Sequence, residues 1–310
     1  MNPVNPVNVG HAGGGSPGSH GSHAGHGRPL VMGIVNVTPD SFSDGGRWAD
    51  AESAVAHGRE LALQGADILD VGGESTRPGA RRPTEEEELA RILPVVSALA
   101  RNRLRVSVDT MRAGVAAAAL DAGAEIVNDV SGGLADPEMV PLVADTGVTY
   151  VAMHWRGHGE VMQQRAVYDD VVADVRAELL ARVEAILAAG VASEHLVLDP
   201  GLGFAKTAEH NWRLMAHLEA FTELPYRVLV GASRKTFLGR LGRTDADEEP
   251  VPPARRDAAT AATSLLAAQA GAWAVRVHDV PSTLAALQVH EAVVAAGAGS
   301  RAGTDRGPRP

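Results

Sequence analysis

Eight short apolar runs, each closed by a polar residue and followed by a stretch with helical spacing, constrain this chain more than any single motif. The runs occupy residues 31–37, 67–71, 105–109, 125–129, 148–154, 195–199, 227–231 and 273–278. They are β-branched or apolar without strict alternation, the pattern of parallel strands buried on both faces. Ala/Leu-rich helical stretches between them include 51–64, 83–99, 111–122, 170–189 and 255–270. Eight strand–helix repeats within about 250 residues predict an α/β fold, a single closed (β/α)8 TIM barrel. A doubly wound open sheet is the competing architecture. Helix punctuation agrees with the repeats. Gly65 and Gly123 stand just past helical runs, and Thr84 with Glu87 forms a capping box ahead of Leu89.

The barrel is expected over residues 29–296. Residues 1–28 are rich in Gly, Ser, Asn, Pro and His without periodicity, a composition that cannot offset its own ordering entropy. A disordered tail is expected there, in which His11, His20, His23 and His26 give at most a weak metal site. Residues 297–310 read the same way, and 242–253, charged and Pro-rich, read as a mobile loop. The 310 residues are 45% apolar, enough for a sizeable core, and the net charge of -10 argues against a nucleic-acid partner. Without cysteine there is no disulfide, thiolate metal site or Cys nucleophile. No apolar run approaches the roughly 18–20 residues of a membrane span. The start lacks the apolar and basic regions of a secretory signal, so a cytoplasmic protein is expected.

In a closed parallel barrel the active site lies at the C-terminal strand ends. Those ends carry Asn36, Gly72-Gly73-Glu74 with Thr76 and Arg77, Asp109, Asn128 with Asp129, Met153 with His154, Asp199, Ser233-Arg234-Lys235, and Arg276 with His278. Helix capping accounts for two or three polar ends, and for Asp199 taken alone, but not for a polar group at every end. The rim therefore surrounds a small polar ligand with donors and acceptors. Asp109, Asn128 and Asp199 suit a planar heterocycle with guanidine-like N–H donors. Arg276 and His278, two apart on the last strand, can take an anion. Ser233-Arg234-Lys235-Thr236 is expected to begin a helix whose free N–H groups favour a carboxylate or phosphate. Two Gly-bounded loops, 38–48 and 72–83, suit a mobile lid. Asn36 can offer one weak oxygen to a Mg²⁺ held otherwise by phosphate and water. No nucleophile elbow, H-E-x-x-H, P-loop or G-x-G-x-x-G is present.

These stretches resemble the dihydropteroate synthases of folate biosynthesis. The likeness rests on Met32-Gly33-Ile34-Val35-Asn36-Val37-Thr38-Pro39-Asp40-Ser41-Phe42-Ser43-Asp44-Gly45-Gly46 and on Asp70-Val71-Gly72-Gly73-Glu74-Ser75-Thr76-Arg77-Pro78-Gly79. It continues through Ser107-Val108-Asp109-Thr110, Asn128-Asp129-Val130-Ser131-Gly132, Asp199-Pro200-Gly201-Leu202-Gly203-Phe204-Ala205-Lys206, Gly231-Ala232-Ser233-Arg234-Lys235 and Arg276-Val277-His278-Asp279-Val280. Seven motifs in family order cover about residues 30–295.

The resemblance implies condensation of p-aminobenzoate with 6-hydroxymethyl-7,8-dihydropterin pyrophosphate by a dissociative substitution, giving 7,8-dihydropteroate and pyrophosphate. It implies a pterin site of Asp109, Asn128, Met153, Asp199, Gly231 and Lys235. It implies a pyrophosphate site of Asn36, Thr76, Arg77, Arg276 and His278, with Asn36 facing Mg²⁺ as cofactor. It further implies a p-aminobenzoate pocket of Phe42, Thr76, Arg77, Pro78, Lys235 and Thr236, lids carrying Asp44 and Arg77, sulfonamide inhibition and a homodimer. Catalysis would fall to Asp109, Lys235, Arg276 and His278. The chain departs from the family's pattern after strand five, where Trp155 and Gly159 replace the usual Met and Pro. His154 there reads as a hydrogen-bonded rim histidine, with catalytic base as the alternative. A silent pterin-binding paralogue and a pterin-dependent methyltransferase are the competing functions. Thr76-Arg77-Pro78 together with Ser233-Arg234-Lys235 argue against the methyltransferase.

Overall fold

Strand pairing runs in sequence order around a complete circle. The computed structural model describes residues 27–37, 46–74, 82–158, 162–243 and 249–301. Its parallel strands are β1 (Leu30–Asn36), β2 (Ile68–Gly72), β3 (Val106–Asp109), β4 (Ile126–Asp129), β5 (Thr149–Met153), β6 (Leu196–Asp199), β7 (Arg227–Val230) and β8 (Ala274–Val277). Each pairs with the next, and β8 closes against β1. The helices are α1 (Gly46–Leu63), α2 (Glu85–Arg101), α3 (Ala113–Asp121), α4 (Met139–Thr146), α5 (Val171–Ala188), α6 (Ala208–Ala216), α7 (Glu219–Thr222), α8 (Asp257–Gln269) and α9 (Val280–Arg301). This is the closed barrel that the apolar runs predict.

Because successive strand residues face opposite ways, each strand feeds two cores. Outward residues such as Val31, Val71, Val108, Val127 and Leu198 pack against the helices. Inward residues Met32, Ile68, Ile126, Val151, Val197, Leu229 and Ala274 form a separate plug inside the barrel. The plug fixes where the site begins, since the next inward residue on each strand stands on an apolar floor.

Local sequence decides the helix ends. Glu87 N–H donates to Thr84 Oγ1 and Thr84 N–H to Glu87 Oε2, the expected capping box, worth about 1 kcal/mol. Gly65 and Gly123 have φ of 102° and 106°, a conformation that a Cβ strains, and stop the chain after α1 and α3.

Strand seven departs from the simple repeat. The helix expected to begin at Ser233 is instead a 3-10 turn, Thr236–Arg240, and α8 starts only at Asp257. Arg234 sits at φ 57°, which is incompatible with an α-helical start. Within the 242–253 loop, residues 244–248 lie outside the description. Its far end is pinned by Val251 N–H to Gly239 O (2.9 Å) and Arg256 Nε to Val251 O (2.5 Å). Two further boundaries shift. Arg28 holds Asp67 through two bonds of 2.6 and 3.0 Å, and α9 continues through Gly297 to Arg301.

Candidate active site

Two residues beyond the inward plug, the strands present Asp70, Asn128, Met153, Asp199, Gly231 and Arg276, with Asp109 level on β3. Period-two alternation thus turns one residue from each of seven strands, β2 to β8, toward the barrel mouth. Direct pairing sets Asp109 beside Asn128 and Met153 beside Asp199, whereas the register steps by two residues at Asp70↔Ser107 and Asn128↔Val151, as the tilt of a closed barrel requires.

Arg276 is the hub of this layer. Its Nε donates to Asp70 Oδ2 at 2.6 Å and its Nη2 to Asp109 Oδ2 at 2.7 Å. Asp70 is fully buried and Asp109 nearly so. Burial alone would lower the Arg276 pKa, but Asp70 and Asp109 more than offset it, so the guanidinium is held charged. Burial pushes Asp109 up to about 7, against the pull of Arg276 and with help from the charges of Asp70, Glu88 and Asp129. The acidic and basic halves of the rim are therefore one ion-paired cluster rather than the two separate parts that the sequence suggested.

Asn128 Nδ2 donates to Asp70 Oδ2 at 3.0 Å. A carboxylate partner demands the amide nitrogen, which leaves the Asn128 carbonyl oxygen to recognise a ligand N–H. Asp199 is 5% exposed, and its Oδ1 accepts from Gly201 N–H at 2.7 Å. Burial raises its pKa, while Lys235, the Gly201 N–H, Lys206 and Arg276 pull it down. Gly231 keeps the floor open between them: a Cβ there would stand 3.6 Å from Asp199 Oδ2 and 3.9 Å from Arg276 Cβ. Met153 is buried beside this loop, its Cγ within 3.3 Å of where a Gly201 Cβ would be.

The cations come from the chain after β7. Arg234 is locked by Asp257 through bonds of 2.7 and 2.8 Å and by Arg256 to its carbonyl at 2.7 Å, which holds its left-handed backbone. That turn aims Lys235 back across the barrel, where Nζ donates to Leu202 O and lies 4.6 Å from the Phe204 ring centroid. Burial lowers Lys235 to about 8 despite Asp199. Ser233 Oγ accepts from His278 N–H at 3.1 Å and contacts His278 Nδ1 at 2.9 Å. The hydroxyl keeps one proton to give, and when it gives it to Nδ1 the neutral His278 ring carries its own proton on Nε2. Thr236 is exposed at the head of the 3-10 turn, a five-residue element without an α-helix dipole.

Other strand ends are structural. Asp129 faces away from Asn128 and accepts from Ser131 N–H and Oγ, Gly133 N–H and the Tyr150 hydroxyl, all within 2.8 Å. Glu74 pairs with Arg82 and Arg112, the latter also holding buried Glu88. His154 bonds Glu178 and Lys206 and is 3% exposed; burial lowers it to about 4, so it is neutral and packed, as the sequence reading favoured. Phe42, Asp44, Thr76, Arg77 and Pro78 lie outside the described residues. Asn36 is half-buried at the end of β1. Asp70 and Lys206 are not singled out by sequence as site residues, although Asp70 follows Ile68 at the inward spacing, and Ser233 is expected there only as part of a helix start.

A barrel rim with buried acceptors for N–H groups beside caged cations is the rim of an enzyme, suited to a planar nitrogen heterocycle and an anion. Residues 32–278 match the family described as "Pterin binding enzyme". The chain is 55% identical over 268 residues to the dihydropteroate synthase of Mycobacterium leprae, covering 86% of this chain and 94% of that protein. Xanthomonas albilineans dihydropteroate synthase, solved with 4-aminobenzoic acid, superposes with a TM-score of 0.79 at 47% identity, covering 87% of this chain and 94% of that one. The Yersinia pestis dihydropteroate synthase in a sulfonamide drug complex gives 0.79 at 41%, with 86% and 95% covered. The chain belongs to the pterin-binding enzymes and, within them, to the dihydropteroate synthases, transferases of folate biosynthesis.

Proposed function

We propose that the chain joins p-aminobenzoate to 6-hydroxymethyl-7,8-dihydropterin pyrophosphate, forming 7,8-dihydropteroate and releasing pyrophosphate, by a dissociative substitution. The observation that carries this reading is the rim itself, where Asp199 and Asn128 offer acceptors next to Arg276 caged by Asp70 and Asp109. Asp199 accepts the guanidine-like N–H groups of the ring, and the Asn128 carbonyl takes a further one. Arg276 and His278 meet the leaving pyrophosphate, where negative charge builds as the C–O bond breaks. The pterin methylene carries the matching positive charge, and ionised Asp109 lies on its side of the cluster. The amine of p-aminobenzoate then attacks that carbon, forming the C–N bond, and its surplus proton passes to the released pyrophosphate or to solvent. Lys235 and Thr236 receive its carboxylate, with Phe42, Thr76, Arg77 and Pro78 completing the pocket and Thr76 and Arg77 also reaching the pyrophosphate. No protein nucleophile is required.

Mg²⁺ fits this donor set only as a substrate-carried ion. No group of three or more His, Cys, Asp or Glu side chains that could hold a metal exists among the described residues. A hard cation that keeps several waters needs only one or two protein oxygens beside phosphate, and Asn36 can supply one. When bound, the ion would neutralise pyrophosphate charge.

Three further points belong to the same proposal. Sulfonamides, as p-aminobenzoate mimics, should compete at the Lys235–Thr236 pocket. A homodimer would cover Leu266 on α8 and Val289, Val293 and Val294 on α9, all exposed. The location is cytoplasmic; no described helix is long and apolar enough to cross a membrane.

The test is pyrophosphate release from the pterin pyrophosphate. Release that requires p-aminobenzoate supports the reading, whereas pterin binding without turnover at any p-aminobenzoate concentration would replace it with a silent pterin-binding protein. Positional exchange of a labelled bridging oxygen without p-aminobenzoate checks the dissociative step.

A further inference from the structure

Lys206 is a buried cation that the chemistry above does not use. It ends the loop that leaves β6 at Asp199, and it is 4% exposed. The loop doubles back through three left-handed residues, Gly201 (φ 70°), Gly203 (φ 80°) and Ala205 (φ 49°). Ala205 pays a steric cost there that Gly would not, so the surroundings must hold it. They do so through Tyr168, whose hydroxyl donates to Ala205 O at 3.0 Å.

His154, just past β5, grips both limbs of this loop. Its N–H donates to Asp199 O at 2.9 Å, and its Nδ1 accepts from Lys206 Nζ at 3.0 Å. Lys206 Nζ also donates to Phe204 O at 3.1 Å. The far side of the His154 ring bonds Glu178 Oε2 on α5 at 3.0 Å, and Arg156 holds the same carboxylate while lying 3.8 Å from the Tyr168 ring centroid. A chain of contacts thus runs from α5 through His154 to a buried ammonium on the loop that Asp199 begins. The same loop supplies Leu202 O and Phe204 to Lys235.

We infer that Lys206 is a positioning residue for pterin recognition, in which the ammonium clamps the returning limb of the β6 loop and supports the charge of Asp199 from behind. The inference rests on the assignment of Asp199 to the ring. The groups facing Asp199 are Lys235 from the chain after β7, Lys206 from its own loop and Arg276 from β8. Those facing Lys206 are Lys235, Asp199, Arg156 and Glu178, with His154 in direct contact. Burial lowers Lys206 to about 7, with Lys235 adding to the fall and Asp199 opposing it. Lys206 is therefore charged, and able to support the Asp199 carboxylate, on the acid side of neutrality.

Lys206→Gln keeps a donor for His154 and loses only the charge; Lys206→Met loses both; Lys206→Arg keeps the charge. Binding of 6-hydroxymethylpterin is followed by calorimetry from pH 5.5 to 8.5. In Lys206→Gln the affinity deficit is several-fold on the acid side, where the parental lysine is charged, and closes above pH 8, where that lysine is also neutral. Lys206→Arg restores the parental acid limb. A Lys206→Gln profile parallel to the parent, weaker by one factor at every pH or unchanged, would overturn the inference; folding failure of Lys206→Met leaves this comparison intact. Asp199→Asn is the control. If it binds the ring as the parent does, the site assignment itself fails; if it loses the ring while Lys206→Gln titrates like the parent, only the role of Lys206 falls.

Discussion

Arg276 reaches Asp109 Oδ2 at 2.7 Å with one guanidinium nitrogen while another holds Asp70, so that one cation is shared by two carboxylates from β2 and β3. Three charges of net -1 in a buried site bind a proton more readily than free carboxylates do, and Asp109, pushed up to about 7, is where it goes. The ionised form is the one that can face a developing cation. The kcat/KM for pterin pyrophosphate should therefore fall as pH drops through about 7, and a flat profile between pH 6 and 8.5 would remove Asp109 from that role. The stability effect has the opposite sense. A carboxylate whose folded pKa is raised keeps a proton that the unfolded chain has released. Its contribution to stability is complete below the ordinary carboxylate range and is lost as pH rises through about 7.

Asp199→Asn tests ring recognition directly. The side chain stays on its loop, since an amide oxygen can still accept from Gly201 N–H, now at 2.7 Å. What it loses is charge-assisted bonding to two ring donors, at about 1.5 kcal/mol or more each, or roughly a hundredfold in pterin affinity. Calorimetry with the pterin alone reads this, with melting temperature as the control for folding.

Asp129→Ala should do the reverse. Four donors converge on a fully buried carboxylate, and none belongs to a residue proposed to touch substrate. Leaving them unpaired costs about 3 kcal/mol or more, enough to lower the melting temperature by several degrees. KM values of the protein that remains folded should stay within about twofold of the parent.

Asn128 and Asp129 show how far the sequence could be read. Both close the same apolar run, and from sequence either can be the ligand. Counting in twos from the inward plug residue Ile126 reaches Asn128, and Asp129 then faces the helices. The barrel and most of the layer were legible because they depend on that period and on the strand–helix repeat. Asp70 obeys the same count from Ile68, but it sits one pleat below the end of β2, where Gly72 attracts the eye. The turn at Ser233–Lys235 was read as a helix start because its left-handed Arg234 is imposed from outside, by Asp257 and Arg256, which are more than 20 residues away. Lys206 was hidden for the same reason: its partner His154 comes from another strand.

Asp257→Ala tests that imposed turn. Without the bidentate partner, Arg234 is free to leave φ 57°, and Lys235 loses the aim that brings it to Leu202 O and Phe204. Both substrates depend on Lys235 in the proposed site, so kcat/KM should fall by about tenfold or more for each, although Asp257 touches neither. A drop confined to melting temperature would make the Asp257–Arg234 pair purely structural.

The helical outer ring offers a separate test. Val289 and Val293 are one turn apart on α9 and are 60% and 66% exposed, and Leu266 is exposed on α8, the helix against which α9 packs. Single exposed apolar residues need no explanation, but several on two adjoining helices make a surface that a second copy would cover. Val289→Glu with Val293→Glu places like charges across any such two-fold contact and leaves the barrel interior untouched. Light scattering should give a dimer mass for the parent and half of it for the variant, with far-ultraviolet circular dichroism unchanged. A parent of monomer mass, or a variant that keeps the parental mass, would show that these valines do not form the contact.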